Sequence, residues 1–461
     1  MPSLFARVAL FAMLALFVTP RVPAAETLPL WRVLEQVEAH DPALQASRHE
    51  AAAARSRIRR AGAWDAPMLE FMVENVPVSG RFDMDPMTMR VVGVEQRLDV
   101  LGARGLSRAA AREGARSEAA RVEDRRFGRY AMAWQAYADA WFAGERAMAA
   151  DDHREVMARM AAAARARYEA GRGRLDDLLR VEAERARIVA DGVAFAAERK
   201  SALRQLAALR GLPDWPAGEV LEAPPETLLG GDAPVWGEVI AAHPRVRAAA
   251  SREAARRGSA RSMRRMAWPE LTVRASYGFR GTLAEVPLIH GVVQPAVEQD
   301  NMWSAGVGIM LPIGTGSRQG AEASEMNAMA DAAASEKRAE VLALTAELGA
   351  LRIQAEAARR TVALLTDTVL VAQHRALAAA WSAYEAGSTD LTGVFDSAHA
   401  SYAEELDVSR ARQQLSRTLA QLLAVTARGD LFGLRVPEPR AFATSAVKPH
   451  GDASRAERTS R

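Results

Sequence analysis

The sequence predicts a mainly α-helical protein with a small β-sheet part and an internal duplication. Hydrophobic residues make up 49% of the 461 residues but aromatic residues only 6%, and Ala and Arg dominate, a composition that favours helices. Residues 103–170 and 317–386 contain no Pro and few Gly. The phrase YEAG ends both stretches, at 168–171 and at 384–387. These observations together predict two copies of one long helical hairpin.

The N-terminus predicts export. Arg7 precedes the apolar run VALFAMLALFV at 8–18, and Pro20, Ala24 and Ala25 follow it, a pattern typical of a cleaved signal peptide. The absence of Cys excludes disulfides and thiolate metal sites. No later segment holds 18 consecutive apolar residues, so insertion into a membrane would require a β-barrel. The net charge of +3, with Arg mixed among Glu and Asp, predicts solvated helix faces and no nucleic-acid partner.

The two copies align without a gap where they begin. Pro42 to Leu69 lies on Pro244 to Leu271, with Pro67 on Pro269. A segment rich in Pro and Gly separates the copies, and the last residues lose hydrophobic periodicity. We therefore divide the chain into a signal peptide (1–25), a first repeat (26–211), a linker (212–233), a second repeat (234–434) and a disordered C-terminal tail (435–461).

Each repeat begins with a helix and continues with a strand pair. The first helices are predicted at about 30–62 and 234–266. Apolar and polar residues then alternate in four segments, most clearly from Leu271 to Phe279 and from Trp303 to Leu311. Alternating strands of about ten residues are typical of a transmembrane β-barrel, and a soluble hairpin on a small sheet is the alternative. The four strands are predicted at 67–76, 89–98, 270–280 and 302–312.

A long helix and a return helix complete each repeat. The long helices would each measure roughly 100 Å, and return helices are predicted at 174–211 and 391–428. Gly171 and Gly387 can adopt the left-handed conformation that ends a helix, so the YEAG phrases mark two hairpin tips. Four strands cannot close a barrel, since about eight are needed, and several chains must pool their strands.

This arrangement resembles the TolC-like outer-membrane efflux proteins. The resemblance rests on the duplicated order of helix, strand pair, long helix, tip and return helix, and on the phrases EQRLDVLGARGLSRA and GIMLPIGTGSRQGAEA. Arg167, Tyr168 and Gly171 at the first tip match the family's tip motif. Within the family, the sequence is most similar to the branch paired with heavy-metal cation pumps.

The resemblance implies a passive exit duct. Members of this family are homotrimers in which twelve strands form one barrel in the outer-membrane lipid and an α-helical barrel crosses the periplasm. A periplasmic adaptor protein and an inner-membrane pump supply substrate and energy. Ala383 stands where the first tip has Arg167, so the two adaptor contacts would differ. The adaptor-contact positions carried over are Arg167, Tyr168, Gly171, Tyr384 and Gly387.

The resemblance also implies a gate at the periplasmic tip. Asp396 matches a gate aspartate, Asp177 a linking carboxylate, and Tyr384 its tyrosine partner. Gly393 and Thr389 stand where the family has a second gate aspartate and a linking Arg, so the gate is only partly preserved. Three copies of Asp396 around an axis would form a carboxylate ring that favours cations. Alternatively, Asp177 and Asp396 stabilise helix N-termini.

Other motifs do not indicate an enzyme, a cofactor or a metal site. The segment GTGSRQG at 314–320 lacks the Lys of a phosphate-binding loop. Met84, Met87 and Met89 lie in a predicted loop that exposes thioethers without a fixed geometry. The histidines at 40, 49, 243, 374 and 399 show no metal-ligand spacing. A periplasmic coiled-coil scaffold or adaptor without a barrel is the second hypothesis, and the alternating strands distinguish it from the duct.

Overall fold

The computed structural model describes residues 26–437 except 79, 84, 227–234, 267, 284, 288–292 and 311–315. The predicted signal peptide (1–25) and the predicted C-terminal tail from 438 onward lie outside the described residues. The chain forms two compact units. The first unit comprises residues up to 47, 123–243 and those from 344 onward, and the second comprises 48–122 and 244–343.

The two repeats show the same order of elements. The first contains β1 (Glu26–Leu28), α1 (Leu30–His40), α2 (Pro42–Ala61), β2 (Met68–Glu74), β3 (Met89–Leu98), α3 (Ala103–Glu169) and α4 (Leu175–Leu209), followed by β4 (Glu219–Leu221). The second contains α5 (Trp236–Ala242), α6 (Pro244–Met266), β5 (Glu270–Arg280), the short strands β6 (Thr282–Leu283), β7 (Val286–Pro287), β8 (Val293–Gln294) and β9 (Val297–Glu298), then β10 (Met302–Met310), α7 (Gly316–Leu364), a π-helical segment (Leu365–Leu370), α8 (Val371–Glu385), α9 (Leu391–Thr426) and a 3₁₀ turn (Asp430–Phe432). The predicted fold class, mainly helical with a small β part and duplicated, is confirmed.

The first helix of each repeat is broken, so the prediction of one helix over 30–62 and one over 234–266 was wrong. Asp41 and His243 have extended ψ angles of 118° and 138°, and each precedes a proline. Proline disfavours the helical conformation of the residue before it. The Asp41 carboxylate then accepts a hydrogen bond from the amide of Leu44 at 2.7 Å, which caps α2.

The first unit joins its helices to a small parallel sheet of two strands. β1 pairs with β4, so residues 219–221 of the predicted linker form a strand that sequence reasoning missed. The buried hydroxyl of Tyr137 lies 2.9 Å from the carbonyl oxygen of Leu28 and accepts a hydrogen bond from the amide of Glu222 at 2.8 Å. This hydroxyl connects α3 with the last residue of β1 and with the residue that follows β4.

The second unit contains a four-stranded antiparallel sheet with strand order β10-β5-β3-β2, and two short antiparallel pairs, β6 with β9 and β7 with β8. Val92 pairs with Tyr277, and Tyr277 pairs with Trp303, so the predicted strands share one register. Each strand falls within its predicted range, and the short strands between β5 and β10 occupy what the sequence predicted as a loop.

Small side chains let the helices of the second unit pack closely. A Cβ atom at Gly258 would lie 3.0 Å from that of Ala110, so α3 and α6 approach closely there. The Ser117 hydroxyl donates a hydrogen bond to the carbonyl oxygen of Ala248 at 2.8 Å. Within the described residues, no helix combines the length and the apolar character that crossing a membrane requires.

Candidate functional site

Both YEAG phrases form the same helix-ending turn in the first unit. At the first tip, the amide of Arg172 donates to the carbonyl oxygen of Arg167 at 2.9 Å, and Gly171 has a φ of +69°. At the second tip, the amide of Ser388 donates to the carbonyl oxygen of Ala383 at 2.9 Å, and Gly387 has a φ of +73°. This is the Schellman arrangement, and glycine reaches its positive φ without strain. The predicted role of both glycines in reversing the chain is confirmed.

A buried apolar cluster holds the helices together behind the tips. Its members come from α3, α4 and α9, and partly buried side chains of α8 pack against it. The residues on α4 and α9 recur at the spacing of one helix face. The largest members are Met157, Met160, Leu178, Val181, Ile188, Phe195, Leu391, Val394, Tyr402 and Leu406.

The predicted contact residues of the two tips meet. The guanidinium carbon of Arg167 lies 5.3 Å from the ring centroid of Tyr384, within the range of a cation–π interaction. The Tyr384 ring also contacts that of Trp381 edge-on, with centroids 6.1 Å apart. Tyr168, the equivalent of Tyr384 at the first tip, is exposed. The two tips therefore differ: Tyr384 contacts Arg167 and Trp381, whereas Tyr168 is exposed.

The two predicted gate aspartates occupy different positions on their helices. Asp177 lies in the first turn of α4, and the Thr392 hydroxyl lies 3.4 Å from its carboxylate. Asp396 is exposed and lies beyond the first turn of α9, whose N-cap is Asp390, hydrogen bonded to the amide of Gly393 at 3.1 Å. The alternative that Asp396 stabilises a helix N-terminus was therefore wrong, whereas Asp177 has the position this alternative requires. In the described part of the chain, Asp396 forms neither a hydrogen bond nor an ion pair.

Sequence reasoning missed a polar cluster within the helical hairpins. The Glu405 carboxylate of α9 lies between two imidazoles, 3.2 Å from Nε2 of His153 on α3 and 3.1 Å from Nε2 of His374 on α8. Burial acts to raise the pKa of Glu405, but the hydrogen bonds and charges of the two histidines outweigh it, and the pKa lies below its ordinary value. Glu405 thus links three helices.

Two further polar pairs lie on the same helix. His399 contacts Glu184 at 2.8 Å, and the Tyr402 hydroxyl donates to Asp191 at 3.3 Å. Residues 399, 402 and 405 are spaced by three and therefore lie on one face of the helix. This polar stripe beside the apolar face was the sequence signal that could have indicated the polar contacts. No group of three or more His, Asp or Glu side chains able to hold a metal occurs among the described residues.

The methionines of the predicted loop do not converge. Met84 lies outside the described residues. Met87 is exposed with its sulfur 3.5 Å from the Arg280 guanidinium, whereas Met89 belongs to β3 and packs against Gly278. Of the segment GTGSRQG, residues 314 and 315 lie outside the described residues, and the others begin α7.

The sheet of the second unit has one apolar face and one polar face. Phe71, Val307 and Trp303 on the apolar face are 76%, 68% and 77% exposed. On the other face, Arg274 forms a salt bridge with Glu95 at 2.6 Å and lies 3.5 Å from Glu70. Such an exposed apolar surface requires a covering partner or lipid. Its further members are Leu69, Val73, Val92, Val94, Val273, Tyr277, Phe279 and Ile309.

A family model covers most of the chain. The model described as outer membrane efflux protein matches residues 33–212 and 235–428. These two ranges correspond to the two repeats, with the predicted linker between them. No curated protein matches the chain.

Several solved structures share the fold at low sequence identity. The outer-membrane channel OprN superposes with a TM-score of 0.72 at 19% identity, covering 86% of this chain and 89% of that one. The outer membrane protein VceC from Vibrio cholerae gives 0.71 at 16% identity, with 86% and 96% covered. The open state of the Neisseria gonorrhoeae MtrE outer membrane channel gives 0.69 at 20% identity, with 87% and 89% covered. At these identities the similarity is one of fold.

Proposed function

The chain belongs to the outer membrane efflux protein family, and from this premise we propose that it is the passive outer-membrane exit duct of a tripartite efflux system. Membership confirms the predicted family resemblance and the outer-membrane location. The duct would receive substrate from a periplasmic adaptor and an inner-membrane pump. The observation that carries this proposal is the four-stranded sheet with one exposed apolar face and one charged face.

The sheet supports a barrel wall shared between chains. In a transmembrane barrel, apolar residues face lipid and polar residues face the lumen. Val307 and Trp303 fit the lipid side, and the charges around Arg274 fit the aqueous side. Because four strands cannot close, three copies would pool twelve strands in a homotrimer. A periplasmic scaffold without a barrel would leave the same apolar face in water, which soluble proteins avoid.

The tips support docking of an adaptor. Tyr168 is exposed, and Gly171 and Gly387 hold the two reversals in place. The contacting set at the tips would be Arg167, Tyr168, Gly171, Tyr384 and Gly387. Asp396, exposed on α9, would line the gate, and Asp177 with Tyr384 would link neighbouring helices. Heavy-metal cations are the proposed cargo, on the ground of the sequence resemblance to that branch of the family.

The proposal is tested by fractionation and unboiled gel electrophoresis of the outer-membrane fraction. We expect a heat-modifiable trimer there, and a soluble periplasmic species would overturn the proposal. Val307→Arg should remove the trimer, because a cation on the lipid face costs about 2–4 kcal/mol at the bilayer midplane. Ser304→Arg on the same strand is the matched control, since residue 304 lies on the polar face and should tolerate the charge.

A further inference from the structure

The methionines of the four-stranded sheet lie on its polar face. Arg274 and Glu95 are cross-strand partners on that face, and side chains along each strand alternate between the two faces. By this register, none of the methionines in the described strands lies on the apolar face. The polar-face methionines are Met68 and Met72 on β2, Met89 on β3, and Met302 and Met310 on β10.

Packing within the chain does not explain this placement. Methionine is an apolar residue, and in a transmembrane barrel apolar residues belong on the lipid side. Met68, Met302 and Met310 are 51%, 44% and 54% exposed, so their thioethers are not buried in a core. The polar face therefore presents sulfur atoms to the space that the proposed function fills with water.

Two of these methionines approach each other across β5. Gly278 of β5 is the cross-strand partner of Met302 on β10. The Met89 sulfur reaches over this glycine, and it lies 2.7 Å from where a Cβ atom on Gly278 would stand. Because the Cβ atoms of cross-strand partners are about 5 Å apart, the Met89 sulfur lies within reach of the Met302 side chain. The absence of a side chain at Gly278 thus lets thioethers of β3 and β10 approach each other.

A second copy brings a third methionine to this pair. β2 and β10 are the two edges of the sheet, and the alternating strand directions would make β10 antiparallel to the β2 of a second copy. These edges pair in the proposed homotrimer. At each junction, Met72 of one copy would lie on the strand next to Met302 of its neighbour.

The charges of the polar face favour a cation. Glu74 is the direct cross-strand partner of Met89. Arg280 flanks Met89 on the other side, where its guanidinium donates a hydrogen bond to the carbonyl oxygen of Pro86. Over the whole face, the carboxylates exceed the guanidinium groups by one in each copy. The charged residues counted are Glu70, Glu74, Glu95, Glu270, Arg97, Arg274 and Arg280.

We propose that Met89 and Met302 of one copy, with Met72 of the next, form a thioether site for a soft monovalent cation, Cu(I) or Ag(I). Thioether sulfur is a soft ligand that suits Cu(I), whereas hard cations prefer oxygen. The inference rests on the proposed function, because it requires the homotrimer and an aqueous lumen along the polar face. It goes beyond that function by giving the barrel wall a binding site for a metal ion.

The test uses the purified full-length trimer in detergent, with silver nitrate as the probe in chloride-free buffer. Equilibrium dialysis followed by elemental mass spectrometry measures the bound silver. The unmodified protein should retain silver several-fold more tightly than the triple variant Met72→Leu, Met89→Leu, Met302→Leu. Leucine keeps the side-chain volume and removes the sulfur. Cu(I) should displace the retained silver, and Zn²⁺ should not.

A second triple variant controls for the number of thioethers. Met132→Leu, Met148→Leu, Met266→Leu removes three exposed methionines of α3 and α6 and should retain silver like the unmodified protein. Heat-modifiability of each variant is checked first. If the sheet triple variant does not form the trimer, the single variant Met302→Leu takes its place, with Met148→Leu as its control.

The outcomes separate the thioether site from its alternatives. Equal silver retention by the unmodified protein and the sheet variant would assign the methionines a role in packing alone and overturn the proposal. The same loss in both triple variants would also overturn it. Displacement of silver by Zn²⁺ as readily as by Cu(I) would indicate carboxylate ligands and contradict a thioether site. An unmodified protein that forms the outer-membrane trimer but retains no silver refutes only this inference, whereas absence of the trimer refutes the proposed function.

Discussion

The guanidinium carbon of Arg167 lies 5.3 Å from the ring centroid of Tyr384, so a residue of the first hairpin tip rests on a residue of the second. In the second repeat, Ala383 stands at the position equivalent to Arg167. The second tip therefore has no arginine that could contact Tyr168 as Arg167 contacts Tyr384. The sequence difference between the tips thus produces one contact that joins them, and this contact is open to measurement.

Arg167→Ala and Tyr384→Leu should be coupled. An exposed cation–π pair contributes about 0.5–1 kcal/mol, and either change alone removes it. The double variant should therefore lose less local stability than the sum of the two single variants. Hydrogen exchange of the last turns of α3 and α8 measures this stability. Arg172→Ala, at a neighbouring exposed arginine, is the control that should show no coupling with Tyr384→Leu.

Gly171→Ala and Gly387→Ala should each destabilise the tip by about 1 kcal/mol, because alanine is strained at positive φ. A Cβ atom at either position meets no neighbour within 4 Å, so the cost comes from the backbone alone. Gly128→Ala is the matched control. Its added Cβ also meets nothing, but it lies within α3, where alanine favours the helix. Thermal unfolding followed by circular dichroism should show opposite shifts for the tip and control variants, and equal shifts would contradict this explanation.

Asp396→Ala should raise single-channel conductance in planar bilayers and lower the preference for cations, because it removes a ring of three carboxylates at the proposed constriction. Glu385→Ala removes an exposed carboxylate near the same tip and serves as the control. If both variants conduct like the unmodified protein, Asp396 does not form the gate.

Glu405→Gln should destabilise the helical hairpins by about 1 kcal/mol at neutral pH, since the charged carboxylate accepts from two histidines. The folded pKa of Glu405 lies below its ordinary value of 4.5, so its contribution is complete above that value. The contribution disappears as the pH falls through the lower, folded pKa. The difference between variant and unmodified protein should therefore vanish in acid, as measured by denaturant unfolding across pH.

Glu404→Gln provides the control with the opposite sign. Burial raises the pKa of Glu404, and one of its carboxylate oxygens lacks a hydrogen-bond partner in the described part of the chain. A group whose folded pKa is raised opposes folding once it is charged, so neutralising it should stabilise the protein at neutral pH. A destabilising effect like that of Glu405→Gln would show that the histidine contacts are not the cause.

Much of the architecture followed from local patterns. The four strands were predicted because alternation has a period of two, and the long helices because Pro is absent over long stretches. The tip reversals followed from Gly171 and Gly387, and the duplication from the aligned prolines. The break before Pro42 was predictable from the sequence, because proline disfavours a helical conformation in the residue before it.

The sequence by itself determined the order and type of the long helices and of the four sheet strands, the two-faced character of those strands and the family, because these depend on residues close together in the chain. Only the tertiary structure decided that β1 pairs with β4, that Glu405 joins His153 to His374, and that Met89 packs against Gly278. These contacts join residues far apart in the sequence, and their geometry depends on how helices and strands pack against one another. Periodicity within one element shows which of its faces is apolar, but it does not show which distant side chain will pack against that face.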